Sequence, residues 1–356
     1  MVNERRRQIL LGYRDSLAIA YFISVFTFPT TLQFGLERAI YMFLLGGFLF
    51  GTCFFVLVFA RQRIRIPSFA LNVLAQTLAT SVTIVVAGSM AIIGGIAIFA
   101  QTSPLEPRVI ERGRTFLEPA PLILLLGGGT LFAGLVNGLF ALDRKLGPGV
   151  LWNWLSGKYY NPREEERIFM FLDLNDSTSI AESLGNLKFS ALIRDFFRDL
   201  TYPLLETGGE VSHYVGDEAV LTWKLARGLK DANCVQLFFK MRHAIEERAG
   251  FYKSEYGFVP QFKAGVHVGR VVATEVGEVK TEIVFHGDVL NTAARIQGIC
   301  NTEGCPLLVS AECANLIALP ANLSLRSLGT RQLKGKAHEL EIFAVDIVSP
   351  NFTVSR

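Results

Sequence analysis

Two aspartates, each beside an apolar strand-like run, are the residues best placed for chemistry. Asp173 ends the run FMFLD, and Asp217 lies in the tight turn of HYVGDEAV, between two predicted strands. If these strands share a sheet, the carboxylates lie close together and repel unless a cation lies between them. Hard divalent cations prefer such oxygen ligands, and two of them can clamp a nucleophile and a leaving group. Singly, Asp173 is also typical of a helix cap and Asp217 of a simple turn.

The order of elements around these aspartates predicts an α+β domain. Predicted strands and helices intermix without regular βαβ alternation, and at least one hairpin is antiparallel. The predicted strands are 168–173, 210–215, 219–224, 261–268, 271–277, 281–285, 306–309, 323–328 and 340–347. The predicted helices are 177–206, 229–250, 289–299 and 311–317.

Five motifs of this region resemble, in order and spacing, the catalytic domain of the class III adenylate and guanylate cyclases. They run from about Glu164 to Asp346 and read FLDLNDST, VGDEAV, FKAGVHVGRV, GDVLNTAARI and LKG. The resemblance implies the ferredoxin-like, polymerase-palm fold of that family for residues 168–348. It also implies an enzyme that converts a nucleoside triphosphate to a 3′,5′-cyclic nucleotide and pyrophosphate.

The resemblance implies a metal site built on the two aspartates. Asp173 and Asp217 match the family positions that hold two Mg²⁺ or Mn²⁺ ions, and the Leu174 carbonyl is a further candidate ligand. The nearby acids Asp176 and Glu218 match no metal position, so we expect them to be solvated or capping residues.

Asn291 and Arg295 match the family's transition-state residues. Their i, i+4 spacing places both on one face of a predicted helix. The planar donor fork of arginine suits a phosphorane, while asparagine can orient the ribose. Lys334 in LKG matches a family lysine that binds the terminal phosphates, with Lys336 as the near alternative.

Base selection departs from the family pattern. Lys263 in FKAGVH fits the lysine expected of adenylate cyclases, which favours ATP. Its usual partner is an Asp or Thr, but Val284 stands at that position and cannot accept a hydrogen bond from the adenine amine. We therefore expect ATP as substrate with reduced discrimination, and a guanylate cyclase as the alternative.

Sites of this family combine two chains, which implies a head-to-tail homodimer. The metal aspartates come from one protomer, and the lysine, asparagine and arginine from the other. This chain carries both halves, so two copies form two equivalent sites. A catalytically silent nucleotide-binding membrane receptor is a further alternative, and the presence of both aspartates, Asn291 and Arg295 argues against it.

Residues 1–142 predict a four-helix transmembrane domain in a lipid bilayer. Half of all residues are hydrophobic, and long stretches of this region carry almost no charge. Four apolar runs each reach the roughly 20 residues that cross a bilayer. They are Leu17–Leu36, Ile40–Ala60, Phe69–Ala100 and Ala120–Leu142. The third is longer than one crossing needs, which leaves a tilted helix or a break at Gly94 and Gly95. A transporter is disfavoured because ionisable residues are nearly missing at mid-depth.

Basic residues predict a multi-pass inner-membrane protein with a cytoplasmic N-terminus and catalytic domain. They are Arg5–Arg7, RQRIR at 61–65, and Arg144 with Lys145. Three arginines in the predicted outer loop, 101–118, weaken this rule. Residues 143–167 form a juxtamembrane linker whose aromatic residues either lie at the membrane interface or pack against the catalytic domain.

Other classes of site or partner are disfavoured. A net charge of +3 with scattered Lys and Arg gives no basic stripe for nucleic acid. The five cysteines form no CxxC pair, and the five histidines show no metal-binding spacing.

Overall fold

The computed structural model describes residues 21, 36–61, 68–101, 103–114, 119–147, 150–333 and 339–348. The chain divides into two compact units, Met1–Leu146 and Gly147–Arg356. In the first unit the described helices are α1 Leu36–Arg61, α2 Phe69–Ala100, α3 Pro107–Arg114 and α4 Pro119–Leu146.

Helix α2 is one continuous helix that begins at the Ser68 cap and ends at Gln101. The alternative of a break at Gly94 and Gly95 is therefore wrong. Helix α1 packs beside these glycines, where a Cβ at Gly95 would make an ordinary van der Waals contact with the Tyr41 ring at 3.4 Å. Among the described residues, Phe69–Ile98 is the one helix long and apolar enough to span a membrane. Shorter apolar stretches are Phe43–Cys53 and Ala133–Leu142. The first predicted span, 17–36, lies almost wholly outside the described residues.

The first unit turns polar side chains inward and apolar ones outward. Asn137 Nδ2 donates to Thr80 Oγ1 at 3.2 Å, and both residues are buried. Thr130 Oγ1 donates to Ser81 Oγ at 3.0 Å. The exposed large apolar residues of α2 follow helical spacing and are Leu71, Leu74, Leu78, Val82, Val86 and Met90. This pattern is the reverse of a helix packed into a water-soluble core.

The second unit is an α+β domain, as predicted. Its eight-stranded sheet has the order β2-β3-β1-β4-β6-β8-β7, with β5 paired to β4. The strands are β1 Arg163–Leu174, β2 Glu210–Val215, β3 Glu218–Lys224, β4 Phe262–Val276, β5 Glu282–His286, β6 Leu307–Ser310, β7 Leu323–Arg331 and β8 Leu340–Ile347. The helices are α5 Val150–Leu155, α6 Ser177–Leu184, α7 Asn186–Glu206, α8 Leu225–Leu229, α9 Asn233–Glu247, α10 Ala249–Tyr256, α11 Asp288–Gly298, α12 Cys300–Glu303 and α13 Ala311–Ala314.

Strand β1 lies between β3 and β4, antiparallel to both. Ile168, Met170, Leu172 and Leu174 point into the core beneath α7 and α9. Phe169 and Phe171 point to the opposite face, where they pack with Val289 and Ala293 of α11. Both faces of β1 are therefore covered, which fixes the strand on which Asp173 lies.

Strand β4 is a single 15-residue strand. The two strands predicted at 261–268 and 271–277 are joined because Gly269 continues the pairing with β1 instead of turning. Gly269 and Gly265 have a packing role. A Cβ at Gly265 would lie 2.2 Å from the Gln297 backbone nitrogen, and one at Gly269 would lie 2.6 Å from Val289. Helix α11 therefore lies directly on the backbone of β4.

Arg167 anchors the start of β1 by a buried ionic network. Its guanidinium donates to Glu165 at 2.8 Å and to Glu210 of β2 at 3.0 Å, and lies 4.6 Å from the Phe285 ring centroid. Burial alone would raise the pKa of Glu165, but hydrogen bonds from Lys158 and Arg167 lower it to about 2. Arg167 is only 1% exposed, so its charge has lost the stabilisation that water would give. The ion pairs with these carboxylates offset that desolvation penalty.

The linker aromatics differ in burial. Tyr159 is buried, and its carbonyl accepts a hydrogen bond from the Glu275 N–H at 2.9 Å. It therefore packs against the end of β4, within the second unit. Trp152 and Tyr160 remain largely exposed, at 73% and 77%.

We expect Arg167→Met to destabilise the second unit by about 3 kcal/mol, because removing one partner of a buried ion pair leaves an uncompensated charge. Denaturant unfolding monitored by tryptophan fluorescence measures this loss. Arg270→Met is the matched control, since Arg270 forms a solvent-exposed pair with Glu166 and such pairs contribute about 1 kcal/mol or less. Equal losses in both variants would contradict the assigned role of Arg167.

Candidate active site

The structure brings Asp173 and Asp217 together at one end of β1. Asp173 pairs in register with Glu218, the first residue of β3. Asp217 precedes it in the β2–β3 turn, which Gly216 forms with a left-handed φ of +63°. The two aspartate carboxyl groups interact directly. The predicted juxtaposition of the two motifs is therefore present in the fold.

The site concentrates negative charge. Burial raises the pKa of Asp173, and the neighbouring Asp217 raises it further. Burial, followed by repulsion from Asp173 and Asp217, raises the pKa of Glu218 to about 7. Glu218 is thus a half-buried member of the acidic group, and the prediction that it is solvated or capping is wrong. Its register opposite Asp173 is the reason. Asp176 is exposed, as expected.

The residues present fit a Mg²⁺ or Mn²⁺ site completed by a bound ligand. Mg²⁺ is usually held by one or two carboxylates together with substrate phosphates. Within the described parts of the chain, no group of three or more His, Cys, Asp or Glu is arranged to hold a metal alone. Asp173 and Asp217 supply the two carboxylates. A leucine side chain has no ligand atom, so Leu174 could contribute only its main-chain carbonyl oxygen, while its side chain is buried in the core.

Lys263 forms an ion pair with Asp173, the candidate metal ligand on β1. Its Nζ is 3.3 Å from Asp173 Oδ2, and the two residues are opposite each other on β4 and β1. Val284 pairs instead with Thr274, which lies about 36 Å further along an extended β4. The structure does not bring Lys263 and Val284 together within one protomer. That part of the base-reading prediction fails because β4 is one long strand whose two ends serve different places.

Asn291 and Arg295 lie on α11 with the predicted common orientation. At about 100° per residue, their directions differ by about 40°. Asn291 is exposed and Arg295 partly exposed. Arg295 forms no salt bridge with a described residue, so its guanidinium is available to an anionic ligand. The predicted phosphate ligand Lys334 and its alternative Lys336 lie outside the described residues.

Gln297 is a polar contact that the sequence analysis did not find. Its Nε2 donates to Asp173 Oδ2 at 2.9 Å, and the residue is 8% exposed. Helical periodicity could have predicted its burial, because Gln297 continues the buried face formed by Val289, Ala293 and Ile296. Gln297 projects about 160° away from Arg295 around the helix axis. The two faces of α11 therefore have different partners.

Comparisons with known proteins bear on this geometry. A family model described as the adenylate and guanylate cyclase catalytic domain matches residues 159–346. Adenylate cyclase 2 of Rhizobium meliloti (strain 1021) is 31% identical over 280 residues, covering 78% of this chain and 73% of that protein. Since the second unit is shorter than 280 residues, this alignment extends into the first unit.

Two further matches are more distant. Adenylate cyclase 1 of the same organism is 25% identical over 190 residues, which cover 51% of this chain and only 27% of that protein. The solved structure of a bacterial light-regulated adenylyl cyclase superposes with a TM-score of 0.53 at 18% identity. It covers 65% of this chain and 67% of that one, and it supports the fold alone.

The acidic site predicts that the metal-free protein loses stability as pH rises. The folded-state pKa of Glu218, about 7, lies above the ordinary value of 4.5, so the folded state binds this proton more tightly. The stabilising contribution is complete below about pH 4.5 and is lost as pH rises through about 7. Partial exposure reduces its size. In EDTA, the fall in melting temperature between pH 5 and pH 8 should be smaller for Glu218→Gln than for wild type.

Glu182→Gln is the control for this measurement, because Glu182 is exposed on α6. It should retain the wild-type pH dependence. An unchanged pH dependence in Glu218→Gln would contradict the prediction.

Proposed function

Because the chain belongs to the adenylate and guanylate cyclase family, we propose that it is an adenylate cyclase, converting ATP to 3′,5′-cyclic AMP and pyrophosphate. The observation that carries the proposal is the pairing of Asp173 with Asp217 at the end of β1. The paired carboxyl groups supply ligands for divalent cations, and Arg295 of α11 supplies a donor fork for phosphate. Attack of the ribose 3′-hydroxyl on the α-phosphorus requires both.

The choice of ATP is supported by the relatives. The protein that aligns over 78% of this chain is named an adenylate cyclase. Lys263 no longer supports it, because that side chain pairs with Asp173. Val284 offers no hydrogen-bond acceptor to the adenine amine. A guanylate cyclase is the alternative for this reason, and its test is the ratio of the two cyclic products.

Each site residue has a distinct task in the proposed reaction. Two divalent cations held by Asp173, Asp217 and the Leu174 carbonyl would neutralise the triphosphate and lower the pKa of the 3′-hydroxyl. Arg295 donates to the phosphate oxygens where charge develops. Asn291 orients the ribose. Lys334, with Lys336 as its alternative, would bind the terminal phosphates.

The two faces of α11 support a head-to-tail homodimer. Gln297 faces Asp173 of its own chain, whereas Asn291 and Arg295 project to the other side of the helix. Within one protomer, the aspartates and Arg295 therefore lie on opposite sides of α11. A second copy supplies the missing half of each site, which gives two equivalent sites between two chains.

We also propose that the first unit is a membrane anchor through which the enzyme is regulated. Its polar interior and the exposed apolar face of α2 suit lipid better than water. The proposal comprises four spans in 1–142 and a linker at 143–167, whose last five residues already belong to β1. It places the N-terminus and the catalytic domain, 168–348, on the cytoplasmic side of the inner membrane. Exposed Trp152 and Tyr160 fit the aromatic belt of a bilayer interface.

We expect detergent-purified full-length protein to produce cyclic AMP from ATP in excess of cyclic GMP from GTP, with Mn²⁺ or Mg²⁺. Asp217→Asn should reduce turnover at least about 100-fold, because charge stabilisation by a metal contributes several kcal/mol and about 1.4 kcal/mol corresponds to tenfold. Asp176→Asn removes an exposed carboxylate near the same motif and should retain activity. Product analysis by mass spectrometry measures both cyclic nucleotides.

The outcomes separate the alternatives. Comparable yields of both products would favour relaxed base selection, and cyclic GMP alone would favour a guanylate cyclase. No cyclic product from a nucleotide-binding sample would leave the silent receptor.

Complementation tests the shared site. Asp217→Asn and Arg295→Ala should each be inactive alone. Mixed dimers contain one site with an intact aspartate from one chain and an intact arginine from the other. Co-expression should therefore restore about a quarter of wild-type activity for random pairing. A mixture as inactive as the separate variants would contradict a site shared between protomers.

A further inference from the structure

Asp173 is held at one oxygen by two donors from different elements. Gln297 Nε2 of α11 lies 2.9 Å from Oδ2, and Lys263 Nζ of β4 lies 3.3 Å from the same atom. The carboxyl group of Asp217 is its third polar neighbour. The two donors therefore fix the orientation of the Asp173 carboxyl group at Oδ2, beside the second acid of the pair.

The position of Gln297 follows from the packing of its helix on the sheet. A Cβ at Gly265 would lie 2.2 Å from the Gln297 backbone nitrogen and 2.6 Å from the Ala293 carbonyl oxygen. Any side chain at position 265 would force α11 away from β4. Glycine permits the close approach, and Gln297, in the last turn of α11, then reaches Asp173 on the neighbouring strand.

Burying the Gln297 side-chain amide costs desolvation free energy, which its hydrogen bond to Asp173 offsets. Polar groups removed from water need a hydrogen-bond partner. The other buried residues of α11 are Val289, Thr292, Ala293 and Ile296, of which three are apolar. The amide is therefore better explained by what it does to the carboxylate than by packing. Residues that orient metal-binding carboxylates typically change metal affinity by 10- to 100-fold when replaced.

We propose that Gln297 is a positioning residue for divalent-cation binding, which orients Asp173 through Oδ2 so that its carboxyl group, together with that of Asp217, can bind the cation. The proposal rests on the proposed function only in that Asp173 is taken as a metal ligand. In this role Gln297 acts on Asp173 and not on the nucleotide. Its effect is on the affinity of the cation, and turnover at saturating cation should change little.

The test is Mn²⁺ binding by the full-length protein, measured from the loss of the free Mn²⁺ signal in electron paramagnetic resonance without nucleotide. Gln297→Met removes the donor at similar volume and should raise the Kd for Mn²⁺ by about 10-fold or more. The Mn²⁺ concentration for half-maximal activity should rise in parallel, with kcat at saturating Mn²⁺ nearly unchanged. Gln297→Leu is a second apolar variant, and melting temperatures in EDTA identify the folded samples.

Gln236→Met is the matched control. Gln236 lies on α9, and its Nε2 donates to the main-chain carbonyl of Asp231 at 2.8 Å, not to a carboxylate. Its loss should leave the Kd for Mn²⁺ unchanged. Wild-type affinity in a folded Gln297→Met or Gln297→Leu variant would overturn the proposal, as would a wild-type protein that binds no Mn²⁺. A wild type that binds Mn²⁺ without forming cyclic nucleotide would contradict the cyclase assignment and leave the affinity comparison valid.

Discussion

Repulsion between carboxyl groups at the end of β1 is the interaction on which the catalytic unit depends. Asp173, Asp217 and Glu218 meet there, and burial together with their proximity raises the pKa of Asp173 and Glu218. The fold holds them in place by pairing β1 with a strand on each side. It offsets part of the charge with Lys263 and the Gln297 amide. Such a site binds cations favourably, because a divalent ion between the carboxylates relieves their repulsion.

The elements closest to the motifs could be predicted from the sequence. The α+β class, the meeting of the two aspartates and the common face of Asn291 and Arg295 followed from local patterns. Lys263 could not be placed, because its position depends on β4 continuing through Gly269 and on its register with β1. Glu218 was misjudged for a related reason. Its burial arises from pairing with Asp173, a contact between residues far apart in sequence. Gln297 required knowledge of how closely α11 approaches Gly265.

The first unit illustrates a different limit. Hydropathy identified its long helices, and α2 is continuous through Gly94 and Gly95. Hydropathy could not identify the polar contacts between α2 and α4, such as Asn137 with Thr80. Those contacts depend on which helix faces meet. Single polar residues within apolar runs do not indicate which faces these are. They also explain how helices with exposed apolar surfaces associate specifically, since lipid gives no hydrophobic drive for such contacts.

The alternation of β1 has a consequence for how this chain can vary. Arg167, Phe169, Phe171 and Asp173 share the face toward α11, while the residues between them fill the opposite core. A strand has a period of two residues, so gaining or losing one residue between Arg167 and Asp173 would move the acid to the wrong face. A single substitution in this segment leaves the other side chains on their faces of the sheet, whereas a change of length does not. Natural variation in chain length should therefore be confined to loops, and this segment should keep its length wherever the acidic site is kept.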